Sequence, residues 1–337
     1  MKTKLISFLV VALSFFTASA LMAAEPYTGK TIKLRIASPS PNGSNMVRGY
    51  EKFVELVKEK SNDKIQIKLF PNAVLGSDRT TLESVQRGTL DMASCSSPNM
   101  ASFAREYMVF DLPYITSPEY QQNLYNALDK GELGKYFETV ANRIGLTTIM
   151  WSEYGYRNYV STNKPLNNLN DLKGLKVRTT DSPIEVAVAK SLGMVPAPVS
   201  WGETFTALQQ GTVDAEGNNW EHLVTAKHIE VLKYAMDSQH NYSMHILMMN
   251  KKAFDALPPE AQAILREAAA EALTWQRKIS ENLDETSKKA MLDAKIKFHD
   301  LSDAERAELK TKTKVVWDEF KKELDPKALE LLLSTQK

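Results

Sequence analysis

One pattern occurs twice in this chain: an amphipathic helix, a glycine, a threonine, an apolar residue, then an aspartate leading into a strand. "TLESVQRGTLDM" (81–92) aligns with "TFTALQQGTVDA" (204–215), so that Thr81, Gln86, Gly88, Thr89 and Asp91 match Thr204, Gln209, Gly211, Thr212 and Asp214. Two amphipathic helices can look alike by chance. Shared order through the glycine and into the strand asks for more than amphipathicity. The repeat therefore constrains the chain to two similar α/β units.

The elements around each copy agree. In the first, "IKLRIA" (32–37) reads as a strand, and "NMVRGYEKFVELVKEKS" (45–61) places Val47, Tyr50, Val54 and Val57 at helical spacing. "KIQIKLF" (64–70) is an alternating strand closed by Pro71, "DRTTLESVQR" is a helix ending at Gly88, and "LDMASC" is the next strand. In the second, "LKGLKVR" is a strand and "SPIEVAVAKSLG" a helix. That helix is expected to carry a Ser182–Glu185 capping box, Pro183 at its first position and Gly193 just past its end. "VPAPVS" is a short extended run, "SWGETFTALQQG" a helix with a Ser200–Glu203 box, and "TVDAEG" closes the unit. Alternating strands and helices imply a parallel sheet with crossover helices. The aromatic run "WSEYGYRNY" (151–159) is expected to cross between the units as part of a strand pair, with rings lining a cleft. From Pro258 to about Lys295 there is no breaker, which predicts a helix of roughly 50 Å, long enough to span both units. "KIKFHDLS" follows as a strand, Ser302–Glu305 opens a helix to about Glu323, and Asp325–Pro326 opens a short last one.

The first residues have another character. Lys2 and Lys4 precede "LISFLVVALSFFTASALMAA", the pattern of a secretory signal peptide ending near residue 24. A membrane anchor is the alternative for so apolar a stretch. Cys95 is the only cysteine, which excludes a disulfide framework and a cysteine-based zinc site, and leaves no cysteine near the cleavage region for a lipid. A buried structural role suits Cys95 better than a nucleophilic one. A large exported chain without disulfides points to the periplasm. The formal net charge of +1 and the lack of a basic patch with interleaved aromatics argue against nucleic acid.

In open parallel sheets, ligands bind beyond the carboxyl ends of the strands. Here those ends are Ser38–Ser40, the turn around Asp78 and Ser94–Ser97 in the first unit, and Arg178–Asp181, Ser200–Trp201 and Glu216–Trp220 in the second. Helix starts at 182 and 200 direct free N–H groups to the same edge. Arg178 presents paired donors that match a carboxylate, but an ion pair with Asp181, Glu185 or Asp214 would use it equally well. Arg157 is a second candidate, or a surface arginine. Trp201 is a pocket wall or a core ring. Asn218 and Asn219 fit a turn for backbone reasons alone. The histidines at 222, 228, 240, 245 and 299 show no metal-ligand spacing, and the carboxylates fall on helix surfaces where they are usually solvated. No phosphate loop, dinucleotide fingerprint or nucleophile elbow is present.

Taken in order, "LFPNAVLGSDRTTLESVQRGTLDM", "FDLPYI", "NKPLNNLNDLKGLKVR", "VSWGETFTALQQGTVDAEGNN" and "HDLSDAERAELK" resemble the extracytoplasmic solute-binding proteins of TRAP (tripartite ATP-independent periplasmic) transporters, over about residues 31–325. The resemblance implies a two-lobed periplasmic binding protein fold, α/β, with a long lobe-spanning helix. It places lobe one at 30–153 plus about 243–283 and lobe two at 154–242 plus about 284–337. It also implies a monomer that binds a small organic anion without cofactor or metal and meets the transporter's membrane subunits. The arginine of "GLKVR", Arg178, would ion-pair with the ligand carboxylate. Arg157, Trp201, Asn218, Asp78, Ser96 and His240 match other positions at the family's pocket. Ser96 stands where some sugar-acid binders carry an acidic residue, which weakens a sialic-acid-like ligand. Trp151, Tyr154, Tyr156 and Trp220 would supply aromatic walls. A sensor module for a membrane receptor and an exported enzyme acting on a small acid are the alternatives, and the second lacks a nucleophile or metal set.

Overall fold

A computed structural model describes residues 27–337, so the expected signal segment lies outside the described residues. Nine strands form one mixed sheet: β1 (Ile32–Ala37), β2 (Ile65–Phe70), β3 (Met92–Ser96), β4 (Leu146–Ser161), β5 (Lys176–Thr179), β6 (Val195–Pro198), β7 (Ala215–Asn218), β8 (Tyr234–Asn250) and β9 (Lys297–His299). Their order is β2-β1-β3-β8-β4-β7-β5-β6, with β9 against β8. The parallel expectation holds at the two ends, where β1 pairs with β2 and β3 and β5 pairs with β6 and β7. It fails in the middle. There β4 and β8 run antiparallel to each other, β8 antiparallel to β3, and β4 antiparallel to β7. These two strands are long enough to serve both ends at once. The aromatic run is thus half of a crossing pair, as its composition implied.

The repeated motif does the same work in each half. Gly88 (φ +75°) and Gly211 (φ +71°) turn the chain after their helices in the left-handed region that favours glycine. The aspartate that follows clamps a neighbouring parallel strand. Asp91 Oδ2 accepts the Arg35 N–H at 2.9 Å, and Asp214 Oδ2 accepts the Lys176 N–H at 3.1 Å. A basic side chain completes each clamp, Arg35 at 3.2 Å and Lys164 at 3.0 Å. The aspartate carbonyls are matched too, taking the N–H groups of Asn250 (3.1 Å) and Thr162 (2.9 Å).

The expected unbroken C-terminal helix is two helices, Pro259–Ser280 and Leu283–Asp293. No proline or glycine separates them. The charges do: Arg277 and Lys278 lie in the last turn of the first, and Asp284 and Glu285 in the first turn of the second, each favourable to its own helix dipole. The first helix buries Ala261, Ile264, Leu265, Ala268, Ala269, Ala272 and Leu273 against the β1–β3 side. The second packs on the helix Trp220–Thr225, where Met291 joins Trp220, Leu223 and Val160. Buried Gln276 plugs the first helix into β4, accepting the Glu153 N–H at 3.1 Å and donating to its carbonyl at 2.9 Å. Gly49 makes room for it, since a Cβ there would sit 2.7 Å from Gln276 Cγ.

Of the three Ser–Glu pairs expected at helix starts, one forms a full capping box. Ser302 and Glu305 form the full reciprocal box. Ser182 caps its helix, but the Glu185 carboxylate turns away to the Thr180 N–H (2.9 Å) and hydroxyl (2.7 Å). Ser200 makes no side-chain capping bond at all. Ser302→Ala should therefore cost about 1 kcal/mol in denaturant unfolding, and Ser200→Ala only a few tenths. Equal losses for the two would contradict this difference.

Candidate functional site

The carboxyl ends of the parallel strands meet at one cavity. The β1–β3 side contributes Pro39, Ser40, Asp78, Ser96 and Asn99, and the β5–β7 side Arg178, Thr180, Trp201 and His222. The long strands contribute Tyr154, Arg157 and His245. The two sides touch around it. The Asn45 N–H donates to Glu221 Oε1 (3.1 Å), the Asp181 N–H to Asn99 Oδ1 (3.4 Å) and the Ser182 hydroxyl to Asp111 Oδ2 (2.6 Å).

The two arginines dominate the electrostatics. Arg178 is 5% exposed and Arg157 4%. Arg178 donates Nε–H to the Val199 carbonyl at 2.9 Å and lies 5.9 Å from the Trp201 ring centre. Its terminal amino groups have no hydrogen-bond partner among the described residues. Nor does it pair with Asp181, Glu185 or Asp214 there. Asp214 is taken by Lys164, and Glu185 lies 3.7 Å from Arg157 Nε. Arg157 is more fully bound, donating to Ser243 Oγ (2.7 Å) and the Gly217 carbonyl (3.0 Å). The balance of charge follows this difference. At Arg178 burial outweighs Glu216 and Glu185, and its pKa is lowered. At Arg157 burial also opposes the charge, but Glu185, Tyr154, Asp111 and Glu216 together raise its pKa. Arg178 is the cation with less compensation.

Several carboxylates are buried rather than solvated on helix surfaces as expected. Glu216 is fully buried, with its Oε1 2.5 Å from His228 Nδ1 and its Oε2 accepting from Asn218 Nδ2 at 3.0 Å. Burial raises its pKa, but His228, Asn218 and Arg178 outweigh burial and leave it lowered. Asp111 is buried and its pKa lies well above the usual carboxylate range, through burial first and then Glu185. Asp78 is buried too, and its Oδ1 accepts the Ser96 N–H at 2.8 Å.

The structure brings Arg178, Arg157, Trp201, Asp78 and Ser96 together at this cavity. Asn218 lies behind it, receiving the Tyr154 hydroxyl and donating to Glu216. Asn219 caps a helix by accepting the His222 N–H. His240 faces a second cavity on the far side of the arginines, shared with Asp111 and Glu185. There it stacks on Tyr159 at 4.0 Å and meets Ser238 Oγ at 2.8 Å. Trp151 packs on Tyr107, Phe110 and Phe137, and Trp220 on Phe298, so both are core rings and not cleft walls. Sequence reasoning missed His222 and His245. Their rings lie 4.9 and 5.3 Å from that of Tyr154, and His222 also meets Trp201 at 4.3 Å. Burial holds His222 well below its ordinary pKa, reinforced by His245, His228 and both arginines. Burial likewise brings His245 to about 4 and His240 to about 3. These three rings are neutral at neutral pH. Among the described residues, no group of His, Cys, Asp or Glu is placed to hold a metal.

Two α/β ends on a pair of shared strands, shut over buried cations, define a two-lobed solute-binding protein. Residues 36–323 match the family described as bacterial extracellular solute-binding protein, family 7 (DctP). The chain belongs to this family, the solute-binding proteins of TRAP transporters. It is 32% identical over 303 residues to the C4-dicarboxylate-binding periplasmic protein DctP of Rhodobacter capsulatus, covering 86% of this chain and 87% of that one. It is 30% identical over 270 residues to the 2,3-diketo-L-gulonate-binding periplasmic protein YiaO of Escherichia coli (80% and 79%). The crystal structure of a sugar acid binding protein from Advenella mimigardefordensis, in complex with galactonate, superposes with a TM-score of 0.87 at 27% identity, covering 91% of this chain and 98% of that one.

Glu216 gives this site a measurable pH signature. With its folded pKa depressed, its contribution to stability is full above the unfolded value of about 4.3 and fades as pH falls through the folded value. Glu216→Gln should lose about 3 kcal/mol near pH 7, because it leaves buried cationic groups without their partner. Thermal unfolding across pH should show that deficit shrinking in acid. A deficit unchanged down to pH 2 would contradict it.

Proposed function

We propose that this protein captures a small organic acid in the cleft between its lobes and delivers it to the membrane subunits of a TRAP transporter. Arg178 carries the assignment. It is a buried guanidinium that lines the cavity, is under-compensated by its surroundings, and has no hydrogen-bond partner for its terminal amino groups among the described residues. A guanidinium cannot neutralise itself, so a bidentate anion is the group that fits. A carboxylate satisfies that geometry, and so does a sulfonate. Arg157 supplies the second positive charge, Trp201 a wall, and Asp78 and Ser96 the facing surface from lobe one. Asn218 positions Tyr154. His240 lies beyond the arginines and adds to their surroundings rather than to the cavity that Asp78 lines.

In this reading lobe one comprises residues 30–153 plus about 243–283, and lobe two 154–242 plus about 284–337. The relatives' names support organic acids in general: a C4-dicarboxylate, a diketogulonate and galactonate. The protein works as a monomer in the periplasm after removal of residues 1–24, and binds its solute without transforming it. No helix of the described residues is long and apolar enough to cross a membrane. Ligand binding favours the closed form because the anion meets both lobes only there.

Arg178→Ala should weaken binding by about 2–5 kcal/mol, at least 30-fold in calorimetry. A ligand present at about a hundred times its dissociation constant should add roughly 2.7 kcal/mol of stability to the parent protein and little to the variant. Near-normal affinity in the variant would overturn the role of Arg178. Absence of a thermal shift with every carboxylate and sulfonate tried would overturn the function.

A further inference from the structure

The cavity lining holds two chemically different sets of groups. Arg157 and Arg178 are donors only, which suits a carboxylate. His222 and His245 are 2% and 5% exposed, and both line the same cavity. Neither imidazole makes a hydrogen bond to a described residue, and the Nδ1 atom of each is buried without a partner. The Ser40 hydroxyl, in the same lining, is also buried and unpartnered. Leaving so many buried polar groups unsatisfied is costly unless the site's occupant satisfies them. The rest of the lining gives them no other work. Tyr154 stacks on His245 at 28°, and Tyr154 and Trp201 pack against His222 at tilts of 55° and 44°.

The geometry points to His222 and His245 as ligand-contacting residues that read hydroxyl groups and, with Asp78, select a hydroxylated monocarboxylate over a dicarboxylate. This inference rests on the solute-binding reading above and narrows it. A neutral imidazole offers one donor and one acceptor, the same pair that a hydroxyl offers in return. Burial keeps both rings neutral, so they add no cation for a second carboxylate. Asp78 lines the same cavity, and no lysine or arginine among the described residues lies within ion-pair distance of it. A second carboxylate would face that like charge in a closed cavity, a juxtaposition that binding sites use for rejection. A hydroxyl can donate to Asp78 and exchange hydrogen bonds with the rings. A site built to bond hydroxyls also discriminates strongly against an analogue that lacks them, because its own polar groups are then left unpaired.

The test is calorimetry on the full mature protein with three probes of similar length: D-erythronate, succinate and butyrate. Erythronate should bind at least 30-fold more tightly than either of the others. His222→Phe and His245→Phe keep a ring in place and remove its nitrogens. Each should weaken erythronate at least 10-fold while changing butyrate less than 3-fold. Asp78→Asn should narrow the gap between erythronate and succinate. Butyrate binding reports whether each variant is still a folded, anion-binding protein. If succinate binds as tightly as erythronate, or if the phenylalanine variants weaken erythronate and butyrate equally, the selectivity inference falls and the solute-binding reading stands. If no organic anion binds the parent protein, both fall.

Discussion

Arg157 and Arg178 are held almost wholly out of solvent, and a guanidinium cannot shed its charge inside a protein. The surrounding structure answers that constraint. Val199 and Gly217 turn backbone carbonyls toward the two groups, and Ser243 supplies a hydroxyl. Glu216 and Glu185 stay close enough to offset part of the charge. His228 and Asn218 then hold Glu216, and Thr180 holds Glu185. Each polar group is buried because another requires it, which gives a connected network rather than isolated pairs. The compensation is uneven. Arg157 is fixed by two hydrogen bonds and raised by its acids, whereas Arg178 is fixed by one and lowered by burial. Arg178 is therefore the less compensated of the two buried cations.

The parts of the fold that local chemistry specifies were legible in the sequence. Asp91 and Asp214 repeat because each half needs the same clamp after the same left-handed glycine, and that need is written in adjacent residues. The Ser302–Glu305 box is local in the same way. The middle of the sheet was not legible. Whether β8 lies parallel or antiparallel beside β3 depends on a partner far along the chain, and periodicity carries no sign of direction. The helix break between Ser280 and Leu283 was legible in principle through its charges, with cations ending one helix and acids beginning the next. The absence of glycine and proline concealed it. The boxes at Ser182 and Ser200 show the reverse error. The letters fit, but Glu185 has a stronger claim on it from Thr180, next to the buried arginine.

The site divides similarly. Arg178, Trp201 and Asp78 could be placed because they sit where strands end, and strand ends can be counted along a sequence. His222 and His245 could not, because one lies in the first turn of a short helix and the other inside a long strand. Only the tertiary fold brings both of them against Tyr154. The buried acids escaped for a related reason. Glu216 looks like any strand residue before a turn, and nothing in its neighbours along the chain announces that Arg178 and His228 will close over it.

Closure of such a cleft requires the lobes to move about the segments that join them, and each of these segments carries an irregularity. β4 and β8 lose register between Glu153 and Gly155 and again between Arg157 and Tyr159. Gly155 (φ +118°) and Gln239 (φ +43°) hold backbone conformations that ordinary strand does not use. The third crossing is the helix break after Ser280. Gln276 bonds both backbone groups of Glu153, and Ser280 accepts a hydrogen bond from Asn45 Nδ2 at 2.7 Å, so the break and the strand irregularity are tied to one another. Asn45 also donates its N–H to Glu221 on the opposite side of the cavity. Arg157 stands between the last two of the three register shifts of β4 against β8. The residue that carries one of the site's charges is therefore part of the strand about which the lobes would turn. An anion bound there bears directly on the joint, which is how binding at the cleft can be felt as a change in the angle between the lobes.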